Sequence, residues 1–418
     1  MTAQRPTLAG FDPFDPGHLA DPYPAFTRAQ RDCPVFYYEP MNFWMVTRYD
    51  DVARVLRDVD TFSSRVWRVV PRPDEFADRL PANLMANAFI NLDPPEHTVS
   101  RRAANRAFTR GLVAALEPDI EAICHDLIDG FAAAHRCDLM ADFCYPMSLR
   151  VIVKMLGLPE SDMPRFRQWT EDMFSLMSPA APGDEQTSKP MPHAEVIERY
   201  GRIADAYEYY GAIVAARREH PTDDLTSAMV HTRAGDGSPA MTPDRIVVHM
   251  LELTAAGNDT TANNIANMVG FLDRNPAQRA ALRADPALLD GAIEEGLRLR
   301  AASPTMFRLT TREVELSGVT LPAGAVVCVN LGAANHDPAH FEDPAAFDID
   351  RDNADEHFAF GRGRHFCLGA PLARLETRVA LTTLYDRLGE IEVVPGQDQG
   401  YLPVVTLDSR LHMHVRWP

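Results

Sequence analysis

Two proline-marked boundaries, Thr242-Pro243 and Asn275-Pro276, enclose an unbroken helical pattern. A threonine before a first-turn proline starts a helix, and an Asn-Pro pair stops one. The spacing predicts a single helix of about 30 residues, ~45 Å long, which has to traverse the whole molecule with everything else packed around it. Helical periodicity also dominates from about residue 97 to 229, broken over 178–192 by SPAAPGDEQTSKPMP, a run that cannot sustain a helix and is a candidate mobile loop. Toward the N-terminus, VFYYEPMNFWMVTRY predicts a strand pair turning at Pro40 to Asn42, followed by a helix over 50–57. Residues 63–91 carry Pro71, Pro73 and Pro81 and read as a long functional loop, a candidate lid. After Arg308, VELSG, VTLPAG and VVCVNLGAANHD predict short strands with turns at Gly318 and Gly324. With no repeat and no linker, the expectation is one mainly α domain over 1–418. A small β-rich lobe comes mainly from 35–60 and 305–335, and a helical lobe from the remainder.

Lys and Arg number 41 against 59 Asp and Glu, a formal charge of −18, which disfavours nucleic acid and anionic membrane as partners. Arginine is concentrated locally, at Arg101, Arg102, Arg106 and Arg110, and again at Arg362, Arg364 and Arg374 around Cys367. Solvated surface arginine explains such clusters equally well. Cys33, Cys124, Cys137, Cys144, Cys328 and Cys367 form no C-x-x-C pair and no zinc spacing, which fits a reducing compartment. The first 26 residues contain no apolar run suited to a signal peptide or membrane anchor, so the expected location is cytoplasmic.

The strongest chemical signal is Phe360-Gly361-Arg362-Gly363-Arg364-His365-Phe366-Cys367-Leu368-Gly369. Its glycines let the backbone turn tightly and approach a flat group. The helix APLARLETRVALTTLYDRL follows at once, so the sulfur sits near a helix N-terminus, where the dipole and free N–H groups favour a thiolate. A second signal, Ala256-Gly257-Asn258-Asp259-Thr260-Thr261, lies inside the long helix. Gly257 there costs about 1 kcal/mol relative to Ala, so something bulky is expected close to the backbone. Thr260 can bond a preceding carbonyl and bend the ladder. Glu295 and Arg298 share one helix face.

The Cys367 segment resembles the haem-binding loop of the cytochrome P-450 superfamily, F-G-x-G-x-H-x-C-x-G, in its soluble bacterial form. Ala256 to Thr260 is similar to that family's A-G-x-D-T oxygen-activation motif, and Glu295 to Arg298 to its buried E-x-x-R folding element. The resemblance spans roughly residues 90 to 375. It implies the cytochrome P-450 fold, a triangular prism of helices around one haem b, with Cys367 as the axial iron ligand. Gly361 and Gly369 then shape the loop, Phe360 packs beside the sulfur, and His365 reaches a propionate together with His97, Arg101 and Arg308. Ala256 and Gly257 lie against the cofactor, Asp259 relays protons, and Thr260 steadies the oxygen being activated. One departure is Pro304, which falls later after Arg298 than the family pattern has it and leaves the path of 299–306 open.

The activity implied is a monooxygenase acting with O2 on a small organic substrate, a secondary metabolite. No G-x-G-x-x-G appears at a strand-helix turn, so two electrons must come from outside, by the resemblance from a ferredoxin and ferredoxin reductase. Oxidative C–C or C–N coupling of aromatic rings by the same iron chemistry stays open, as does a non-catalytic haem sensor or ligand carrier. A peroxide-driven enzyme would have no use for Asp259 and Thr260 in these roles. Ala255, Ala256 and Met306 are candidate substrate contacts. His249, Glu252, Ala256 and Thr260 lie close to one helix face, and Glu252 is expected to accept from a substrate N–H or ammonium group, unless it pairs with an arginine or lies at the solvent edge.

Overall fold

The computed structural model describes residues 5–105, 108–179 and 191–418. Its axis is the helix Pro243–Arg274, capped by the Thr242 hydroxyl, which accepts from the Arg245 N–H, and closed at Asn275. From Ala262 to Leu272 every residue of it is buried. A helix apolar all round is a core helix; here the buried polar residues on it find specific partners. Asn263 donates to the Asp259 carbonyl, Asn264 to the Thr377 hydroxyl, and Asn267 to the Arg300 carbonyl. Against this axis pack Tyr145–Leu156, His193–Glu219 and Ala370–Leu388. The helical run before it resolves into Glu96–Asn105, Glu117–Phe131, Tyr145–Leu156 and Met163–Leu176. Of the break expected over 178–192, residues 180–190 lie outside the described residues, and so does Arg106 of the basic cluster.

The strand pair expected near the N-terminus is Val35–Tyr38 and Phe43–Val46, antiparallel with Val35 opposite Val46. Phe43–Val46 runs parallel to Val326–Asn330, which pairs antiparallel with Thr305–Thr310, and Phe62–Ser63 closes the far edge. Alternate side chains of these strands, among them Val35, Trp44, Val46, Val327 and Val329, form a core with Val52 and Leu56 of the helix Tyr49–Arg57. The other face joins the main helical core. The stretch 63–91 is not wholly irregular. Trp67–Val69 pairs with Met177–Pro179, and short 3-10 turns follow at Asp74–Phe76, Leu84–Asn87 and Phe89–Asn91.

Glu295 and Arg298 are fully buried and joined by two 2.7 Å contacts. Arg298 also donates to the carbonyls of Asn335, Pro344 and Ala346, and Arg351 completes the cluster at 3.0 Å from Glu295. Every donor and acceptor is thus engaged; removing one member would strand a buried charge, typically at a cost of about 3–5 kcal/mol. The cluster ties the 335–351 segment, which leads into the Cys367 loop, to the helix Leu289–Leu299. The path after Arg298 is anchored at the Arg300 carbonyl, and at Pro304, whose carbonyl accepts from Gly332 N–H at 3.0 Å. The strand then begins at Thr305 despite the late proline.

Candidate active site

The Cys367 loop closes on itself through the Cys367 N–H, which donates to the Phe360 carbonyl at 2.8 Å. Gly361 and Gly363 both have left-handed φ, of 65° and 75°. At Gly363 a Cβ would come within 2.8 Å of the Leu56 carbonyl oxygen, so no side chain fits between loop and helix. The helix Ala370–Leu388 begins three residues after the cysteine, and the N–H groups of Gly369 and Ala370 are directed at the sulfur. Cys367 is accessible on one side while protein surrounds the rest. That burial pushes the thiol up, and the two N–H groups with Arg101 and Arg374 partly offset it. Phe360 is covered by the Arg374 guanidinium, 4.6 Å from the ring centroid, and lies 6.3 Å from the Phe366 ring.

Near the loop is a group of basic side chains short of carboxylates. Arg308, buried on its strand, donates among the described residues only to the Phe307 carbonyl; burial lowers it to about 10, against the opposing charge of Asp93. The His97 and His365 rings lie against each other, tilted at 44° with centroids 4.1 Å apart. Burial and then the charge of Arg101 hold His97 at about 4, and burial and then Arg308 hold His365 at about 2. His97 Nε2 is buried without a partner among the described residues, while His365 Nε2 lies 3.0 Å from the Ser64 hydroxyl. Arg101 donates to the Phe366 carbonyl at 2.6 Å. The four residues expected to hold propionates are therefore brought together. Buried charges and donors of one sign require an anion.

On the long helix Ala256 is exposed while Ala255 and Asn258 beside it are buried, which marks the helix's open face. Thr260 makes the expected back-bond, its hydroxyl donating to the Ala256 carbonyl at 2.7 Å. Asp259 is held at one oxygen, which accepts from the Tyr145 hydroxyl at 2.9 Å and the Ser409 hydroxyl at 3.0 Å. Its other oxygen is buried with no partner among the described residues. Burial outweighs these hydrogen bonds and raises the carboxyl above its ordinary value.

The bulky neighbour expected at Gly257 includes the helix Tyr145–Leu156, where a Cβ would come within 3.1 Å of Ile152. Glu252 pairs with no arginine among the described residues; it accepts from the Phe89 N–H at 2.6 Å and the Ile90 N–H at 3.3 Å, with His249 Nδ1 3.0 Å away. Its carboxylate therefore caps the Phe89–Asn91 turn. Met306 lies opposite Val329 and packs on the core of the sheet. Tyr145, Ser409 and Arg351 carry no local motif, since each matters only through a contact across more than 50 residues, and sequence reasoning missed them.

The family model described as Cytochrome P450 matches residues 26–399. The monooxygenase PikC of Streptomyces venezuelae is 35% identical over 424 residues, covering 100% of this chain and 96% of that protein. The cyclomarin C epoxidase CymV of Salinispora arenicola is 38% identical, over 84% of each. The solved structure of a cytochrome P450 from Chondromyces apiculatus superposes with a TM-score of 0.83 at 33% identity, covering 97% of this chain and 98% of the other. The donor set fits a haem. One thiol at a helix N-terminus suits an iron ligand, and the anion-poor group of His97, Arg101, Arg308 and His365 suits two propionates.

Proposed function

The chain belongs to the cytochrome P450 family, a haem-dependent monooxygenase with that family's fold, and from that premise we propose that it oxidises a small secondary metabolite, with two electrons delivered by a ferredoxin and its reductase. Relatives named for such chemistry support the substrate class: CymV, the cyclomarin C epoxidase, and the mycinamicin IV hydroxylase/epoxidase of Micromonospora griseorubida, 35% identical over 90% of this chain. Residues 1–418 act as one unit in this reading. Six free thiols suit a cytoplasmic setting, and no helix among the described residues is long and apolar enough to cross a membrane.

The observation that carries the reading is the Asp259 carboxyl, half held and half free beside Thr260. When bound, the haem supplies iron for O2 activation, with the Cys367 thiolate as its donor ligand. The chain's own residues do the rest. His97, Arg101, Arg308 and His365 neutralise and orient the propionates. Asp259, its carboxyl raised by burial and one oxygen left free, is placed to take up a proton at that oxygen and pass it toward Thr260. Tyr145 and Ser409 fix the other oxygen, so that the free one points consistently. Glu252 acts on substrate indirectly, by holding the Phe89–Asn91 turn.

The test is a spectral titration of the purified protein with macrolide and cyclic-peptide candidates, followed by turnover with ferredoxin, reductase and NADPH. The expected result is a water-displacement shift in the haem spectrum for at least one candidate and an oxygenated product that requires O2. Reduction by the ferredoxin system with no product from any bound candidate would overturn the substrate reading. Loss of the red-shifted carbon monoxide band in Cys367→Ser is the matching check on the ligand.

A further inference from the structure

A second cavity, of about 610 Å3, lies between the N-terminal arm, the last turns of the long helix and the C-terminal segment. That volume is in the range of organic-ligand sites, roughly 300–1,000 Å3. Its wall on the long helix runs from Asn267 to Arg274, about 10–20 Å along the axis from Thr260, so it is separate from the oxygen-activating site. Arg274, Arg300 and Arg410 all line it.

Of the three, among the described residues only Arg300 has a carboxylate, Asp408, at 2.6 and 2.8 Å. Arg410 is 6% exposed; its guanidinium reaches the Asn267 side-chain oxygen at 2.5 Å and the Met413 sulfur at 3.6 Å, and no carboxylate within ion-pair distance. Burial, then the charge of Arg300, lowers it. Arg274 makes no hydrogen bond or ion pair among the described residues. It lies over the Phe271 ring at 5.3 Å and across Gly270, where a Cβ would come within 3.3 Å of its guanidinium. The one acid on the rim, Asp21, accepts from the Tyr23 N–H. A helix C-terminus attracts cations, which explains Arg274 but not a buried Arg410 beside Arg300. Like charges gathered in one concave site, two of the three without a carboxylate, are stable together when an anion joins them.

We propose that this cavity binds a small organic dianion, a phosphate ester or a polycarboxylate, gripped by Arg274 and Arg410 with Arg300 adding field. Neither the oxygen chemistry nor the substrate class enters this inference, so its test needs no turnover. Calorimetry and thermal denaturation of the haem-loaded protein, with AMP, pyrophosphate and citrate as probes at ionic strength matched by NaCl, would show saturable binding and a raised midpoint for at least one probe. AMP or pyrophosphate binding without citrate binding would assign phosphate, and the reverse would assign carboxylate. Arg274→Gln, at an exposed position with no hydrogen bond or ion pair to lose among the described residues, should weaken binding tenfold or more. Arg274→Lys should fall between, and Arg218→Gln on a distant helix should change nothing. Stabilisation no greater than NaCl gives, or equal binding by Arg274→Gln and the parent, would overturn the proposal.

Discussion

Tyr145 and Ser409 grip one oxygen of Asp259, so the two carboxylate oxygens are inequivalent, and only the free one can exchange a proton quickly. Tyr145→Phe should keep haem content and the carbon monoxide band while the carboxyl gains rotational freedom. A hydrogen bond to a charged group is worth about 1.5–3 kcal/mol, and Ser409 retains part of it. Product per NADPH should therefore fall several-fold and peroxide rise, with a larger loss in Tyr145→Phe/Ser409→Ala. Unchanged coupling and solvent isotope effect in the double variant would remove Tyr145 from this role. The Cys367 loop gives a second contrast between single residues. Gly363→Ala combines a left-handed φ with a 2.8 Å approach to a backbone oxygen, whereas a Cβ at Gly369 meets only the Cys367 sulfur, at an ordinary 3.9 Å. Left-handed backbone costs a residue with a Cβ about 1–2 kcal/mol before any clash. Gly363→Ala should lower the melting midpoint by several degrees and lose haem on purification, while Gly369→Ala stays within a degree or two. Equal losses from both would show that the clash is relieved by loop movement.

Between elements, the helix Leu289–Leu299 is joined to the start of Ala370–Leu388 by Glu294, which takes Arg374 at 2.5 and 2.7 Å and His357 at 3.2 Å. The Ala359 N–H donates to His357 Nδ1, so Nε2 carries the proton toward Glu294. Burial alone would raise this carboxyl, but the hydrogen bonds of Arg374 and His357 overcome it and hold it at about 2, below its ordinary 4.5. A depressed carboxyl stabilises the fold fully above its unfolded value and loses that contribution as pH falls through the folded one. The stabilisation, on the order of 3 kcal/mol at most, is thus present above about pH 4.5 and lost toward pH 2. Acid unfolding followed by circular dichroism should be less steep in Glu294→Gln across that window, and the variant weaker at pH 7; an identical acid limb would refute the linkage. Sequence legibility differed at this scale for a physical reason. The long helix, its caps and the helix after Cys367 follow from local signals, a threonine-proline start and a glycine-cysteine loop. Glu294, Arg351, Tyr145 and Ser409 do not, because an acid on a helix face looks solvated until its distant partner is known. Glu252 shows the same limit, since its acceptors' partners are two backbone N–H groups of a loop that no periodicity marks.

Over the whole molecule the charge of −18 repels an acidic redox protein at long range, so any ferredoxin must find a local patch of opposite sign. The structure narrows that patch. Arg374 is committed to Glu294, and Arg362 turns to the Tyr49 hydroxyl and the Phe358 ring. Arg101 is drawn into the loop by the Phe366 carbonyl, which leaves Arg102 and Arg364 exposed among the described side chains of the two arginine clusters, with Phe366 of the loop exposed as well. An exposed cation on the Cys367 loop, and another next in sequence to the arginine that bonds this loop, offer an acidic partner a contact close to Cys367. At physiological ionic strength the Debye length is about 8 Å, so only charges this near the contact steer docking. Arg102→Glu should then slow the second-order rate of reduction by ferredoxin about tenfold at low salt and progressively less as salt rises. Substrate affinity and dithionite-reduced carbon monoxide binding should stay unchanged, since the residue is exposed while His97 and Arg101 make this helix's contacts with the loop. A rate that keeps the parent's value and salt slope would move the docking face elsewhere, and a parallel loss of substrate affinity would mean that the substitution disturbs the helix Glu96–Asn105 and with it His97.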